Sequence, residues 1–397
     1  MRPSQGRHIN VLVVNAGSST LKYQVIDTKT HAVSAKGSCE RVTFTGGTFT
    51  HAANGSKKVT ESHEFPDHGA AIKAVLDDLE ANGITVDGIG HRIVQGGWYF
   101  GDSSLVDDDV LAKIREVAPL APLHNNPEAN VIEYCLAQYP ELPNVTVYDT
   151  AFHFNMPKVA STYALPKDVC DKLHIRKYGA HGTSYRYIAG KVAEMNPDAH
   201  KVVVCHIGSG ASLCAIEDGK CMDTTMGLTP LDGLMMGTRC GSIDPATVCY
   251  LQREGGYTFD EVDEMMNKQS GLLAVSGISS DARDIRAGAD AGNHNCLLAF
   301  DMFAYKAMQQ AAAMIASMAG VDTITFTAGI GENDWTIRQA FCECFEWLGV
   351  RVDREKNKAA VGAGPQVISS AGSSVTVMVI PTDEEYMIAL DVERLAH

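Results

Sequence analysis

The chain has 397 residues, 45% of them apolar and 20% charged. These are values of an ordinary globular protein and exclude a disordered or fibrous one. Thirty-three Lys and Arg against 48 Asp and Glu leave a formal charge of −15, which opposes a nucleic-acid or membrane-surface role because polyanions would be repelled.

The length predicts two domains. The first ten residues, MRPSQGRHIN, are polar and carry no apolar signal core. Residues 11–14 (VLVV) predict a buried strand, and residues 21–26 its hairpin partner across a glycine-bearing turn. Residues 51–58, with Asn54 and Gly55, predict a turn between two polar strands. Helices are predicted over 70–79 and 107–117, the latter led by three acids that suit a helix N-terminus. Residues 145–148, 202–205 and 323–326 are short apolar strands, and residues 286–295 read as a surface loop rich in Gly, Ala and Asp. Residues 297–320 are the most apolar stretch, but Asp301, Lys306, Gln309 and Gln310 make it a buried helix and no membrane span. The alternation of strands and helices gives an α/β class. With no low-complexity linker, the boundary falls in the few residues after Asp149, giving domains 1–152 and 153–397, with the last helix returning to the first. Eleven cysteines without a CxxC pair or a metal-type Cys/His spacing predict reduced thiols and a cytoplasmic location.

One internal repeat is visible. VLVVNAGSSTLKYQVID (11–27) laid over VVVCHIGSGASLCAIED (202–218) without a gap matches Val11, Val13, Gly17, Ser18 and Asp27 to Val202, Val204, Gly208, Ser209 and Asp218. Both turns are Gly/Ser-rich, a composition that lets backbone N–H groups approach phosphate. The first hairpin carries Asn15 and Lys22, an amide and an ammonium suited to a hydrated cation and phosphate oxygens. The second carries His206, Ile207, Gly208, Ser209 and Gly210. A third glycine loop, Gly329, Ile330, Gly331, Glu332 and Asn333, follows a predicted strand and precedes a helix expected to start near Asp334.

Arg92 (GHRIVQGG) and Arg239 (MMGTRCG) sit in glycine-rich apolar settings that suit bidentate binding of carboxylate or phosphoryl oxygens. His181 lies in YGAHGTS, Asp149 closes a strand where catalytic carboxylates often project, and Glu384 follows a strand in PTDEE.

These stretches, with LAPLHNN, GLTPLDGLMMGTRCGSIDP, SGISSDARD and FTAGIGEN, resemble the successive motifs of the acetate kinase family, in family order from residue 11 to residue 385. The resemblance implies a duplicated, two-domain actin-like ATPase (ribonuclease H-like) fold with the active site in the interdomain cleft. It also implies a homodimer, and reversible transfer of phosphate from ATP to acetate, giving acetyl phosphate and ADP, with Mg²⁺ or Mn²⁺. It assigns Asn15 and Glu384 to the metal and Lys22 to the nucleotide phosphates. Arg92 takes the substrate carboxylate, and Asp149, His181 and Arg239 serve catalysis. His206–Gly210, Asp281, Ala282, Arg283 and Gly329–Asn333 contact ATP. Val94, Leu123, Ala180 and Pro230 line the acyl pocket. Ala180 stands where the family has phenylalanine, so propionate or butyrate is the alternative acceptor. Gln95, Ser209 and Ser242 replace a histidine, an asparagine and an aspartate. A non-catalytic ATP-switch protein of the same fold is the competing class; it would not need Arg92 and His181.

Overall fold

The computed structural model describes residues 9–396, so residues 1–8 of the polar N-terminal stretch lie outside it. The chain divides into two compact units, Met1–Phe154 with Asp383–His397, and Asn155–Thr382. Among the described residues no helix is long and apolar enough to cross a membrane.

The first unit is built on strands β1 (Asn10–Ala16), β2 (Thr20–Asp27), β3 (Val33–Glu40), β4 (Thr48–Ala53), β5 (Val59–Ser62), β6 (Gly88–Ile93), β7 (Ser104–Leu105) and β8 (Asn144–Tyr148). They form one sheet in the order β5-β4-β3-β2-β1-β6-β8-β7. Residues 11–14 read as a continuous apolar run because both faces of β1 are covered. Leu12, Val14 and Ala16 pack with Val75 and Val131, from helices His68–Ala81 and Pro122–Gln138. The alternate residues Val11 and Val13 pack with Ile388 and Val392 of the C-terminal helix Glu384–Ala396. That helix lies close on β6 because β6 offers glycine there: a β-carbon on Gly90 would come within 2.5 Å of Ile388 Cγ2.

The second unit contains β9 (Lys201–Ile207), β10 (Ala211–Glu217), β11 (Lys220–Thr224), β12 (Thr323–Thr327), β13 (Gln366–Val367) and β14 (Thr376–Val379), in the order β11-β10-β9-β12-β14-β13. The predicted apolar helix is His294–Ser317. Cys296, Ala299, Phe303, Ala307, Ala311 and Met314, spaced three or four apart, are its buried stripe.

The duplication is structural as well as sequential. β3-β2-β1-β6-β8 and β11-β10-β9-β12-β14 share one order, and in both the first three strands are antiparallel and the last two join in parallel. The ungapped overlay of the two hairpins is out by one residue, however. Ala16 faces Leu21 across the first turn, whereas Ile207 faces Ala211, the counterpart of Thr20, across the second.

Three further expectations change. Residues 286–295 are not a surface loop, because helix Ala282–Asp290, capped by the Asp281 side chain, runs through half of them and a second helix begins at His294. The segment Gly329–Asn333 is not a loop but belongs to a short helix, Ala328–Asn333, and the next helix starts at Trp335. The turn from β12 is tight enough that Ala328 takes φ +65°. His51 lies inside β4, and the turn itself is Asn54 and Gly55, both with positive φ.

Candidate active site

In the first unit the chemistry gathers where β6 and β8 end side by side. The parallel register sets Arg92 against Val147, and the Asp149 N–H donates to the Ile93 carbonyl at 2.9 Å. The two side chains therefore meet. Arg92 Nη2 donates to Asp149 Oδ2 at 2.7 Å and Nε to Oδ1 at 3.2 Å. Asp149 is almost fully buried and Arg92 about a quarter exposed, at 2% and 23% of side-chain area. The field of Asp149, offset by burial and reinforced by Glu384, raises the Arg92 pKa, so the guanidinium stays charged.

Beneath them lies a carboxyl group that sequence reasoning missed. Glu128, 2% exposed, accepts the Val94 N–H at 3.3 Å, and its Oε1 has no hydrogen-bond partner. Burial pushes its pKa well above the ordinary value against the opposing field of Arg92. Asn125, one turn earlier on the same helix, accepts the Gln95 N–H at 3.1 Å and donates to the Gln95 carbonyl at 2.8 Å. Gln95 Oε1 in turn accepts the Gly97 N–H at 2.9 Å. Glu128 and Asn125 thus fix the backbone that follows Arg92. Only their i, i+3 spacing hinted at it. Of the acyl-pocket candidates in this unit, Val94 is buried and Leu123 is 56% exposed.

Asn15 and Lys22 are direct cross-strand partners on β1 and β2. They line a cavity of about 510 Å³ with Gln24, Lys36, Ser38 and Glu385. Glu384 begins the C-terminal helix. The amide of Asn15 and the carboxylate of Glu384 are hard oxygen donors, the set that suits a magnesium-type ion held partly through water.

In the second unit, three separate candidate segments converge on one cavity of about 930 Å³. Gly208 and Ser209, Asp281, Ala282 and Arg283, and Gly329, Ile330 and Asn333 all line it. His206 and Ile207 are buried in β9, and Gly331 and Glu332 face elsewhere. Glu332 Oε1 accepts the Ala328 N–H at 2.7 Å and the Thr382 N–H at 3.2 Å. Arg338, fully buried, donates to the carbonyls of Gly331, Glu332 and Asn357 at 2.7–2.8 Å and so closes the C-terminal end of the short helix. The cavity also has Arg286 and Trp335 in its wall. Both were missed, Arg286 because its helix was read as a loop. Its guanidinium lies 3.8 Å from the Phe300 ring centroid and donates to Thr336 Oγ1. Asp281 is held at about 2 by hydrogen bonds from Arg283.

His181 and Arg239 converge beside the second hairpin. A β-carbon built on Gly210 would lie 3.5 Å from His181 Nε2 and 3.9 Å from Arg239 Nη1. Glycine leaves that space open. Arg239 sits in the loop between β11 and the helix Ala246–Glu254. Buried Leu234, Met235 and Met236 anchor this loop, and the Leu272 N–H donates to the Met236 carbonyl at 2.8 Å. Its Nη1 reaches the Pro230 carbonyl at 3.3 Å, and among the described residues no carboxylate pairs with it. Burial lowers its pKa. Ala180, next to His181, is 3% exposed and belongs to the core of this unit, and Pro230 is half-buried. Ser242 Oγ donates to Asp232 Oδ1 at 2.6 Å, a loop contact.

Residues 10–390 match the model of the acetokinase family. The chain is similar to "Acetate kinase 2" of Clostridium perfringens, at 47% identity over 96% of this chain and 98% of that one. Among solved structures it is similar to the acetate kinase of Porphyromonas gingivalis, at 38% identity and TM-score 0.93, covering 98% of this chain and all of that one. It is also similar to a propionate kinase from Francisella tularensis, at 38% identity and TM-score 0.91, covering 97% and 99%. The two α/β units with their repeated five-strand core are accordingly the duplicated fold of the actin-like ATPases, and the chain belongs to the acetokinase family.

Proposed function

We propose that this chain is an ATP-dependent carboxylate kinase with acetate as its acceptor. A carboxylate oxygen attacks the γ-phosphorus of ATP, the bond from that phosphorus to the β,γ-bridging oxygen breaks, and acetyl phosphate and ADP form reversibly. The observation that carries the reading is the convergence of His181 Nε2 and Arg239 Nη1 on the space above Gly210. Two donors there suit the equatorial oxygens of a transferring phosphoryl group. The 930 Å³ cavity bounded by the hairpin turn, Asp281–Arg283 and the Gly329–Asn333 segment suits the nucleotide.

Acetate is already deprotonated at neutral pH, so the chain needs no general base. Arg92 presents a guanidinium for the acceptor carboxylate, and Asp149 orients it through two hydrogen bonds. Asn15 and Glu384 would hold Mg²⁺ or Mn²⁺, which when bound neutralises charge on the nucleotide phosphates. Lys22, directly across from Asn15, adds a further positive charge for those phosphates. A cytoplasmic homodimer is part of the same proposal.

A second acceptor class has one observation in its favour. Ala180 is a small residue where the resemblance implies a phenylalanine in the acyl pocket, and this goes with the chain's similarity to a solved propionate kinase. ADP release measured against acetate, propionate and butyrate tests both. ADP release that needs a carboxylate supports the kinase reading, and ADP release indifferent to carboxylate contradicts it. The ratio of kcat/KM values then ranks the acceptors.

A further inference from the structure

The turn of the first hairpin is held from behind by an imidazole. His68 opens the helix His68–Ala81 and is 5% exposed. Its Nε2 lies 2.8 Å from the Gly17 carbonyl oxygen. A carbonyl oxygen only accepts, so Nε2 carries a proton and donates it. The start of the helix is itself fixed. The Asp67 side chain caps it by accepting the Ala70 N–H at 2.7 Å, and Ala71, Ile72 and Val75 seat it in the core of the first unit. A β-carbon on Gly69 would come within 2.9 Å of Tyr134 Cδ2, so the first turn lies close on the helix Pro122–Gln138.

Two backbone bonds complete the turn. The Gly17 N–H donates to the Thr20 carbonyl at 2.8 Å, and the Ser19 carbonyl accepts the Val42 N–H at 2.9 Å. Ser18, between them, is exposed, and among the described residues its N–H meets no protein acceptor. Every described peptide bond is trans. In a trans peptide the carbonyl and the N–H that follows it point in opposite directions. Holding the Gly17 carbonyl on His68 therefore aims the Ser18 N–H away from the imidazole. Glycine at position 17 would otherwise let this peptide rotate at little cost. A rotated peptide presents a carbonyl oxygen, which repels phosphate, in place of an N–H group, which attracts it.

We propose that His68 is a positioning residue for phosphate binding: by holding the Gly17 carbonyl it keeps the Ser18 N–H presented to a phosphate oxygen of the nucleotide. The inference rests on the reading, given under Proposed function, that the chain binds ATP. His68 touches no phosphate itself. It acts through the orientation of one peptide plane, which the Gly/Ser composition of the turn leaves open.

The test is calorimetric binding of β,γ-imido-ATP with Mg²⁺ to the full-length protein, measured beside the thermal midpoint and the steady-state constants. His68→Ala should weaken binding by about 10-fold or more, the worth of one hydrogen bond to a charged group, with KM for acetate within about twofold of wild type. His68→Gln, whose amide N–H reaches the same carbonyl, should bind within about threefold of wild type. His68→Asn, one carbon shorter, should bind as weakly as the alanine variant and stands in for it where alanine does not fold. In crystals of the weak-binding variant the Gly17–Ser18 peptide should be turned or split between two orientations. Wild-type affinity in both His68→Ala and His68→Asn, with only the thermal midpoint lowered, would make His68 a structural residue and overturn the proposal. So would weak binding with the peptide in its wild-type orientation. A folded wild type that binds no β,γ-imido-ATP would overturn the ATP reading, and the proposal with it.

Discussion

Arg92 and Asp149 end adjacent parallel strands and close a two-point ion pair, Nη2 to Oδ2 at 2.7 Å and Nε to Oδ1 at 3.2 Å. The resemblance gave them separate duties, one to the substrate and one to catalysis. The geometry makes them one device, because Asp149 fixes the plane of the guanidinium proposed to meet the acceptor. Arg92→Ala should raise KM for the carboxylate and lower kcat/KM by about 100-fold or more. It should also destabilise the first unit by about 3 kcal/mol, the lower range for breaking a buried pair, since Arg92 is partly exposed. Steady-state kinetics and denaturant unfolding check the two effects. Arg92→Lys, which loses the two-point geometry, should recover stability better than activity.

Glu128 gives a pH signature. Its folded pKa lies well above the ordinary value of 4.5 because of burial. Between the unfolded and folded values the native state holds a proton that the unfolded state has lost, so stability falls as pH rises through that window. The limiting slope is about 1.4 kcal/mol per pH unit. Glu128→Gln, which keeps the shape of the protonated acid, should remove this component. Unfolding free energies of both proteins from pH 5 to pH 8 should diverge in favour of the variant as pH rises. Parallel curves would mean that Glu128 is ionised in the native protein.

Ala180 should set acyl-chain preference. Each added methylene that becomes buried gains about 0.8 kcal/mol, close to fourfold in kcat/KM. Ala180→Phe should therefore sharpen the preference for acetate over propionate and butyrate. An unchanged ratio of kcat/KM values would remove Ala180 from the specificity argument.

Arg338 offers a test, from behind, of the cavity proposed for the nucleotide. Its guanidinium satisfies the carbonyls of Gly331, Glu332 and Asn357 in a fully buried setting. Arg338→Met should leave those acceptors without donors, each costing about 1–3 kcal/mol. The expected outcome is a lower thermal midpoint and a raised KM for ATP, with KM for acetate little changed.

The parts of this account legible in the sequence were those written locally. The period of β1 and of the helix Ala282–Asp290 is local, yet only the first was read correctly. Asp281 is a plain N-cap, but Gly288 and the two alanines after Arg286 looked like loop composition, which hid the cavity residue Arg286. The one-residue offset between the hairpins could not be read from an ungapped overlay, because pairing depends on the turn: Gly17 bonds to Thr20, and Gly208 to Gly210. The supporting residues Glu128 and Asn125 were nearly silent for a different reason. They act through hydrogen bonds to groups 30 to 34 positions away, and their i, i+3 spacing marks a shared helix face but not those partners.

The most direct measurement is to trap acyl phosphate with hydroxylamine after mixing the enzyme, Mg-ATP and acetate, with Arg239→Ala run beside the wild type. Acyl hydroxamate is expected from the wild type in proportion to ADP, and at least about 100-fold less from the variant. ADP formed by the wild type without hydroxamate, or a variant as active as the wild type, would contradict it.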